Sequence, residues 1–251
     1  MKTFLLALSV CTLAAFSSYA QTTTADTTAA QVLKPQAKHV ATELNINPFN
    51  GTISLNNSLN QLKFRYFAAP NFAVRLGFNG SKVSNLTENT NPYGTNSYRH
   101  KDERSSTTIG LNLGMEKHFA GTRRLSPYLG ADIVVVKKST EQEITEGQTT
   151  TTITGGWREY NYLPGGYSYS YTELGYTSYG ANLVTGFDFY MAKNFFFGYE
   201  INFGFSQKSV AELDVKQTGS TNSPTENGDV KNTSFSFGSS LMNGVRIGYV
   251  F

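Results

Sequence analysis

The sequence predicts an all-β fold, an eight-stranded antiparallel up-and-down transmembrane β-barrel, from three observations. Apolar residues alternate with glycine or polar residues along most of the chain after residue 38, which is the period of a β-strand. Short and long connections alternate between these segments, as in barrels with tight turns on one side of a membrane. Charged residues make up only 16% of the chain, and no run of 18 apolar residues follows the first twenty.

The first 38 residues are expected to lie outside the barrel. A basic start, an apolar run and Ser18-Tyr19-Ala20 before Gln21 predict a secretory signal peptide over residues 1–20. A lipoprotein signal at Cys11 is an alternative, but the residue before this cysteine is bulky. Cys11 is the chain's one cysteine, so a mature chain without it would have no thiolate site. Residues 21–38, rich in Thr and Ala, predict a flexible tail.

The first four predicted strands open the barrel domain, which we assign to residues 39–251. Residues 39–48 form a weak first strand with few apolar positions. Residues 59–68 alternate large apolar with basic side chains, and residues 72–84 alternate them with alanine, arginine and glycine. Residues 105–119 alternate aliphatic residues with glycine and asparagine.

The last four predicted strands show the same period of two. Residues 125–138 and 176–190 alternate apolar residues with glycine, asparagine and aspartate. Residues 195–208 are the clearest case, because six large apolar residues share one face and small or polar residues share the other. Residues 233–251 form the last strand.

The lengths of the connections indicate the orientation of the barrel. An even number of strands brings both ends of the domain to the side of the short turns, which is the periplasmic side in bacterial outer-membrane barrels. A soluble sandwich or secreted barrel is the alternative, but no feature of such a fold requires short and long connections to alternate. The short connections are 68–71, 120–124 and 191–194, and the long polar ones are 85–104, 139–175 and 209–232.

The last strand carries a family resemblance. Val245, Ile247, Tyr249 and Phe251 share one face, and the strand ends in an aromatic residue. This pattern resembles the sorting signal of bacterial outer-membrane barrels, and the chain resembles small barrels of the OmpX and OmpA type. The resemblance implies insertion by the barrel-assembly machinery into outer-membrane lipid and lipopolysaccharide. We expect no peptidoglycan-binding domain after the barrel, in contrast to full-length OmpA-type proteins.

Charged residues on the inward faces predict an ionic network inside the barrel. An eight-stranded barrel is only wide enough for its side chains, and unpaired charges there are costly. We therefore expect an ion-paired plug, with a gated path for ions or small solutes as the alternative. The predicted members are four basic and four acidic residues: Lys63, Arg65, Arg75, Arg246, Glu116, Asp132, Asp188 and Glu200.

The long connection before the sixth strand is rich in tyrosine. One interpretation is a strand extension, with residues 141–154 and 158–171 paired around Gly155-Gly156. The other is a surface-contact site for an unknown extracellular ligand, because tyrosine combines contact area with a polar tip. The candidate contact residues are Trp157, Tyr160, Tyr162, Tyr167, Tyr169 and Tyr171.

Two other loops carry weaker signals. The charged run from Arg99 to Arg104 predicts a solvated loop tip that could also contact lipopolysaccharide. Residues 209–232 predict a flexible polar loop.

The sequence favours a structural or surface-interaction role over pore and enzyme functions. The three histidines are scattered, and only His100, near Asp102 and Glu103, falls on an outer loop, so neither a catalytic group nor a metal site is predicted. No cofactor motif appears. The net charge of +3 does not predict nucleic-acid binding. A narrow pore is the alternative function, and an outer-membrane enzyme acting on lipids or peptides comes third.

Overall fold

The computed structural model describes residues 33–46, 59–91, 98–164, 166–219, 232–241 and 245–251. The predicted signal peptide, most of the predicted tail and the connection at 49–58 lie outside these residues. Within the described ranges, no helix is long and apolar enough to cross a membrane. The strands are β1 (Val40–Ile46), β2 (Leu59–Ala69), β3 (Phe72–Asn91), β4 (Tyr98–His118), β5 (Leu125–Glu146), β6 (Thr149–Thr154), β7 (Trp157–Leu163), β8 (Gly166–Thr172), β9 (Tyr176–Ala192), β10 (Phe195–Val210), β11 (Asp214–Thr218), β12 (Thr233–Leu241) and β13 (Val245–Val250).

Eight strand positions close into a ring. The strands β1 to β5 pair in chain order, β5 pairs with β9, β9 with β10, and β10 with β13. The ring closes where β13 pairs with β1, from Ala41 opposite Val250 to Ile46 opposite Val245. Every pairing is antiparallel, so the prediction of an eight-stranded antiparallel barrel is confirmed.

Three of the eight positions are divided into two segments. The strand β10 pairs with β13 through residues 195–198 and with β12 through residues 201–209, so the predicted last strand has two described segments. The strand β5 pairs with β9 up to Lys138 and with β6 from Glu141 onward. The strand β6 therefore continues the position of β9, and β11, which pairs with β6, continues that of β10.

The strands extend further than the sequence pattern predicts. The third strand runs to Asn91 instead of residue 84, the fourth begins at Tyr98 instead of 105, and the fifth reaches Glu146 instead of 138. The predicted long loops 85–104 and 139–175 are therefore largely strand, and residues 214–218 of the predicted loop 209–232 form β11. Their sequences are mostly polar, and backbone pairing with neighbouring strands holds them in the wall.

The prediction of a hairpin around Gly155-Gly156 is wrong. The Thr-rich segment β6 pairs with the end of β5 across a turn at Gly147, whose φ is 64°. The Tyr-rich strands β7 and β8 pair with each other, from Trp157 opposite Thr172 to Leu163 opposite Gly166. The two glycines instead mark where the chain leaves the barrel wall between β6 and β9, and Gly155 has a φ of 91°.

The barrel wall has opposite characters on its two faces. Large apolar side chains such as Leu76, Leu113 and Ile133 are exposed on the outside, where a membrane would cover them. At the end with the short turns, an apolar layer closes the inside. This layer, called the floor below, consists of Leu33, Ala41, Phe67, Ala73, Tyr190, Phe196 and Val250. Because Leu33 is part of it, the packed chain begins within the predicted flexible tail.

Candidate functional site

The structure brings all eight predicted interior charges together, directly above the floor. The period of two places them on the inner face of seven of the eight strand positions, and each side chain is at most 4% exposed. Arg75 contacts three acidic residues: its Nη1 donates to Glu116 at 3.1 Å, its Nη2 donates to Glu200 at 2.8 Å, and its Nε lies 3.0 Å from Asp132. Arg65 donates to Glu116 at 2.9 Å and to Asp188 at 2.7 Å.

Sequence reasoning missed the acidic residue Glu43, which belongs to the same network. Arg246 donates to both of its carboxylate oxygens, at 3.0 and 2.9 Å. Lys63 and Arg65 also lie within 3.3 and 3.1 Å of this carboxylate. The signal was present in the sequence, because Glu43 lies between outward-facing residues of the weak first strand. With it, five carboxylates face four cations.

Three uncharged or titratable groups complete the network. The imidazole Nε2 of His118 lies 3.0 Å from Glu116, and its Nδ1 lies 2.9 Å from the hydroxyl of Ser126. The hydroxyl of Tyr128 donates to Glu200 at 2.8 Å, and the Tyr128 ring lies 5.2 Å from the Arg246 guanidinium. These contacts place hydrogen-bond partners and ring faces around charges that water would otherwise solvate.

The hairpin of β7 and β8 packs against the inner side of the extended wall. The pairing of β4 with β5 has no register shift, so Gln142 faces inward like Asp132 on β5, and Arg104 faces inward like Glu116 on β4. The Gln142 side chain, fully buried, accepts a hydrogen bond from the backbone N–H of Arg158 at 2.6 Å. The indole N–H of Trp157 points at the carbonyl oxygens of Ser105 and Glu141, each at 3.2 Å. The hairpin is therefore anchored to the inner side of β4 and β5.

Charged groups hold the base of this hairpin. Arg104 donates to Asp102 at 2.8 Å and also to Glu159, and its guanidinium lies 5.9 Å from the Trp157 ring. The hydrogen bond to Asp102 raises the pKa of Arg104 above its ordinary value, although partial burial opposes the shift, so this cation stays charged. Asp102 also accepts from Gln142 at 2.9 Å.

The predicted contact residues of the hairpin have two different environments. Trp157 is buried, and Tyr171 packs against the cluster of Ile144, Ile153 and Val215 on the inner wall. Three tyrosines are exposed, of which Tyr162 is 92% exposed. The Tyr160 and Tyr169 rings meet edge to face at 6.4 Å, and Arg158 lies 5.1 Å from the Tyr169 ring. The side chain of Tyr167 lies outside the described residues.

The remaining candidate residues occupy separate places. His100 lies 3.4 Å from Glu146, and Asp102 bonds Arg104 and Gln142 as described above. The predicted C-terminal assembly signal, Val245, Ile247, Tyr249 and Phe251, lies on β13 and the residue after it. Tyr249 and Phe251 are exposed on the outside, where their rings meet at 4.9 Å. Within the described ranges no group of acidic, histidine or cysteine side chains could hold a metal ion.

Solved structures of outer-membrane barrels resemble this chain at low identity. The N-terminal barrel domain of Pseudomonas aeruginosa OprF is 12% identical and covers 86% of this chain and 100% of its own, with a TM-score of 0.30. OprG of the same organism is 12% identical and covers 88% and 99%, with a TM-score of 0.39. Acinetobacter baumannii CarO2 is 14% identical and covers 86% and 100%, with a TM-score of 0.29.

The sequence itself identifies the family. No curated protein sequence matches the chain. A family model matches residues 47–211, which is more than half of the chain and extends from before β2 to the end of β10. The chain therefore belongs to the OmpA-OmpF-like porin family of bacterial outer-membrane β-barrels.

Proposed function

We propose that the protein is a closed, non-enzymatic outer-membrane barrel with a structural role and a surface-interaction role at its extracellular end. The observation that carries this proposal is the pair of layers inside the barrel. Charges from all eight strand positions form ion pairs across the lumen, and the floor lies directly beneath them. Such a filled interior supports stability rather than conduction, because an ion would have to displace several buried pairs to pass.

The proposed orientation has both termini in the periplasm. The short turns and the floor lie at one end, while the long strands β3 to β5 and the hairpin extend from the other. The outward aromatic pair of Tyr249 and Phe251 supports insertion by the barrel-assembly machinery, and the apolar outer surface supports contact with outer-membrane lipid.

The proposed interaction surface is the exposed part of the Tyr-rich hairpin. Tyr160, Tyr162 and Tyr169 offer rings and hydroxyls to solvent, while the buried Trp157 and Gln142 hold the backbone beneath them. A surface that is ordered before binding loses less conformational entropy when a partner binds, which supports a contact role for an extracellular ligand.

Single-channel conductance in planar bilayers tests the closed interior. The refolded mature protein is expected to be silent, and Arg246→Ala and Glu200→Ala are expected to leak or to unfold more easily. Lys82→Ala, an exposed position on β3, serves as the control and should behave like wild type. Discrete and reproducible steps from the wild type, altered by the two interior variants, would show that the protein conducts.

The second candidate function is a narrow pore for ions or small solutes. The family is named for porins, and several buried polar atoms of the lumen, including Nε of Arg65 and Oδ1 of Asn45, have no hydrogen-bond partner among the described residues. Such atoms favour water between the ion pairs. The conductance measurement decides between the two functions.

A further inference from the structure

Exposed charges are distributed unequally between the two ends of the barrel. At the end with the short turns, the charged side chains that reach solvent are all basic among the described residues. They are Lys34, Lys38, Lys117, Arg123, Arg124 and Lys193. The acidic residues near this end, such as Glu116 and Asp188, point inward and are buried. The described Asp and Glu side chains that reach solvent all belong to the opposite end: Glu88, Asp102, Glu103, Glu141, Glu143, Glu146, Glu159, Glu173, Glu212 and Asp214.

Four of the basic residues meet on two neighbouring turns. Lys117, Arg123 and Arg124 belong to the end of β4 and the turn after it, and Lys193 belongs to the turn between β9 and β10. These turns are adjacent because the first residue of β5, Leu125, pairs with β9. Arg124 spans the gap, since its Nη1 donates to the carbonyl oxygen of Met191 on β9 at 3.1 Å.

The turns hold these cations in place without neutralising them. The hydroxyl of Thr122 accepts from the backbone N–H of Leu125 at 3.1 Å, which fixes the turn that carries Arg123 and Arg124. None of the four forms an ion pair with a carboxylate of the described residues, whereas several cations at the other end do, such as Arg99 with Glu88. The four charges are therefore available to an external anion.

The position of the cluster relative to the apolar surface identifies that anion. Lys117 follows the outward-facing Met115 by two residues on β4, and Lys193 lies between the exposed Met191 and Phe195. The cluster therefore begins where the lipid-facing surface ends, which is the depth of lipid headgroups. Guanidinium and ammonium groups at this depth are suited to phosphate oxygens.

We propose that Lys117, Arg123, Arg124 and Lys193 form a binding site for the phosphodiester headgroup of an anionic phospholipid in the periplasmic leaflet. The site rests on the orientation proposed above, because that orientation places the short turns away from lipopolysaccharide. An acidic periplasmic protein is the competing partner, but the continuity with the apolar surface favours a lipid.

Spin-label measurements in nanodiscs test the proposal. The full mature protein is placed in nanodiscs containing spin-labelled phosphatidylglycerol or phosphatidylcholine, and the fraction of motionally restricted lipid gives the relative association of each. The wild type is expected to prefer phosphatidylglycerol by about threefold or more at low salt, and to lose this preference at high salt. Because both leaflets are identical, the result does not depend on orientation, and conductance tests the proposed function separately.

Two double variants, each of which removes two positive charges, make the test specific. Arg123→Gln with Arg124→Gln should remove most of the preference, and so should Lys117→Gln with Lys193→Gln, which keeps the bond to Met191. The matched control neutralises Lys82 and Lys137, two basic residues at the opposite edge of the apolar surface, and should keep the preference. Equal association of both lipids with the wild type, an unchanged preference in the turn variants, or an equal loss in the control would each overturn the proposal. Selective binding of an acidic protein with no lipid preference would also overturn it.

Discussion

Replacement of Arg75 by alanine is expected to lower the free energy of unfolding by about 3–5 kcal/mol, the cost of removing one member of a buried ion pair. Arg75 is 2% exposed and faces three carboxylates. Two of these keep other partners, because Glu116 is bound by Arg65 at 2.9 Å and Glu200 by Lys63 at 3.1 Å. Asp132 loses the only ion-pair partner that it has among the described residues. Most of the expected loss therefore comes from one uncompensated carboxylate.

This reasoning predicts a specific rescue. Adding Asp132→Asn to Arg75→Ala should recover about 1–3 kcal/mol, because the amide removes the unpaired charge at nearly the same volume. The assay is urea unfolding of the refolded protein in lipid vesicles, followed by circular dichroism of the strands. Lys82→Ala on the same strand is the control and should change the free energy by no more than about 0.5 kcal/mol. A loss below about 1 kcal/mol in Arg75→Ala, or simple additivity in the double variant, would refute the reasoning.

The remaining predictions concern the floor, the wall and the hairpin. Phe67→Ala should destabilise the protein by about 3–5 kcal/mol in the same unfolding assay, since the ring is fully buried in the floor, and a wild-type midpoint would contradict this packing. Gly198→Ala should impair refolding, because a Cβ there would lie 2.4 Å from a backbone carbonyl oxygen, whereas Gly238→Ala, with open space around it, should refold normally; equal yields would count against the close approach. Trp157→Ala should speed proteolysis within β7 and β8 while Tyr162→Ala should not, and equal cleavage of both would show that the indole is not the anchor.

The interior of the barrel could be predicted because its signal is strictly local. In β2 and β10 the apolar and polar faces alternate strongly, so the inward position of Lys63 and Glu200 follows from the period of two alone. Glu43 follows the same alternation between Thr42 and Leu44, but the signal is weaker there because its strand has few large apolar residues. Ion pairs such as Arg246 with Glu43 join residues far apart in the sequence, and only the closure of the ring decides which charges meet.

The extracellular end was harder to predict because two local signals compete there. Paired glycines at 155–156 indicate a turn, and the Thr-rich and Tyr-rich segments on either side both favour strands. The structure pairs each segment with another partner. The strand β6 completes hydrogen bonds along the edge of β5, while Trp157 and Tyr171 pack against the inner wall. Such tertiary contacts leave no periodic trace in the sequence.

The seam between β1 and β13 has a consequence for the order of assembly. Its pairing brings Glu43 to Arg246 and, at the same time, completes the floor with Ala41 and Val250. An open intermediate therefore lacks the two-oxygen contact between Glu43 and Arg246 and leaves an apolar patch uncovered. Partial pairing of the two strands gains little until the last strand is in register. Closure therefore selects the correct register. If the ends paired one residue out of register, every side chain of the seam would face the wrong side of the wall, and the pairing would be unstable.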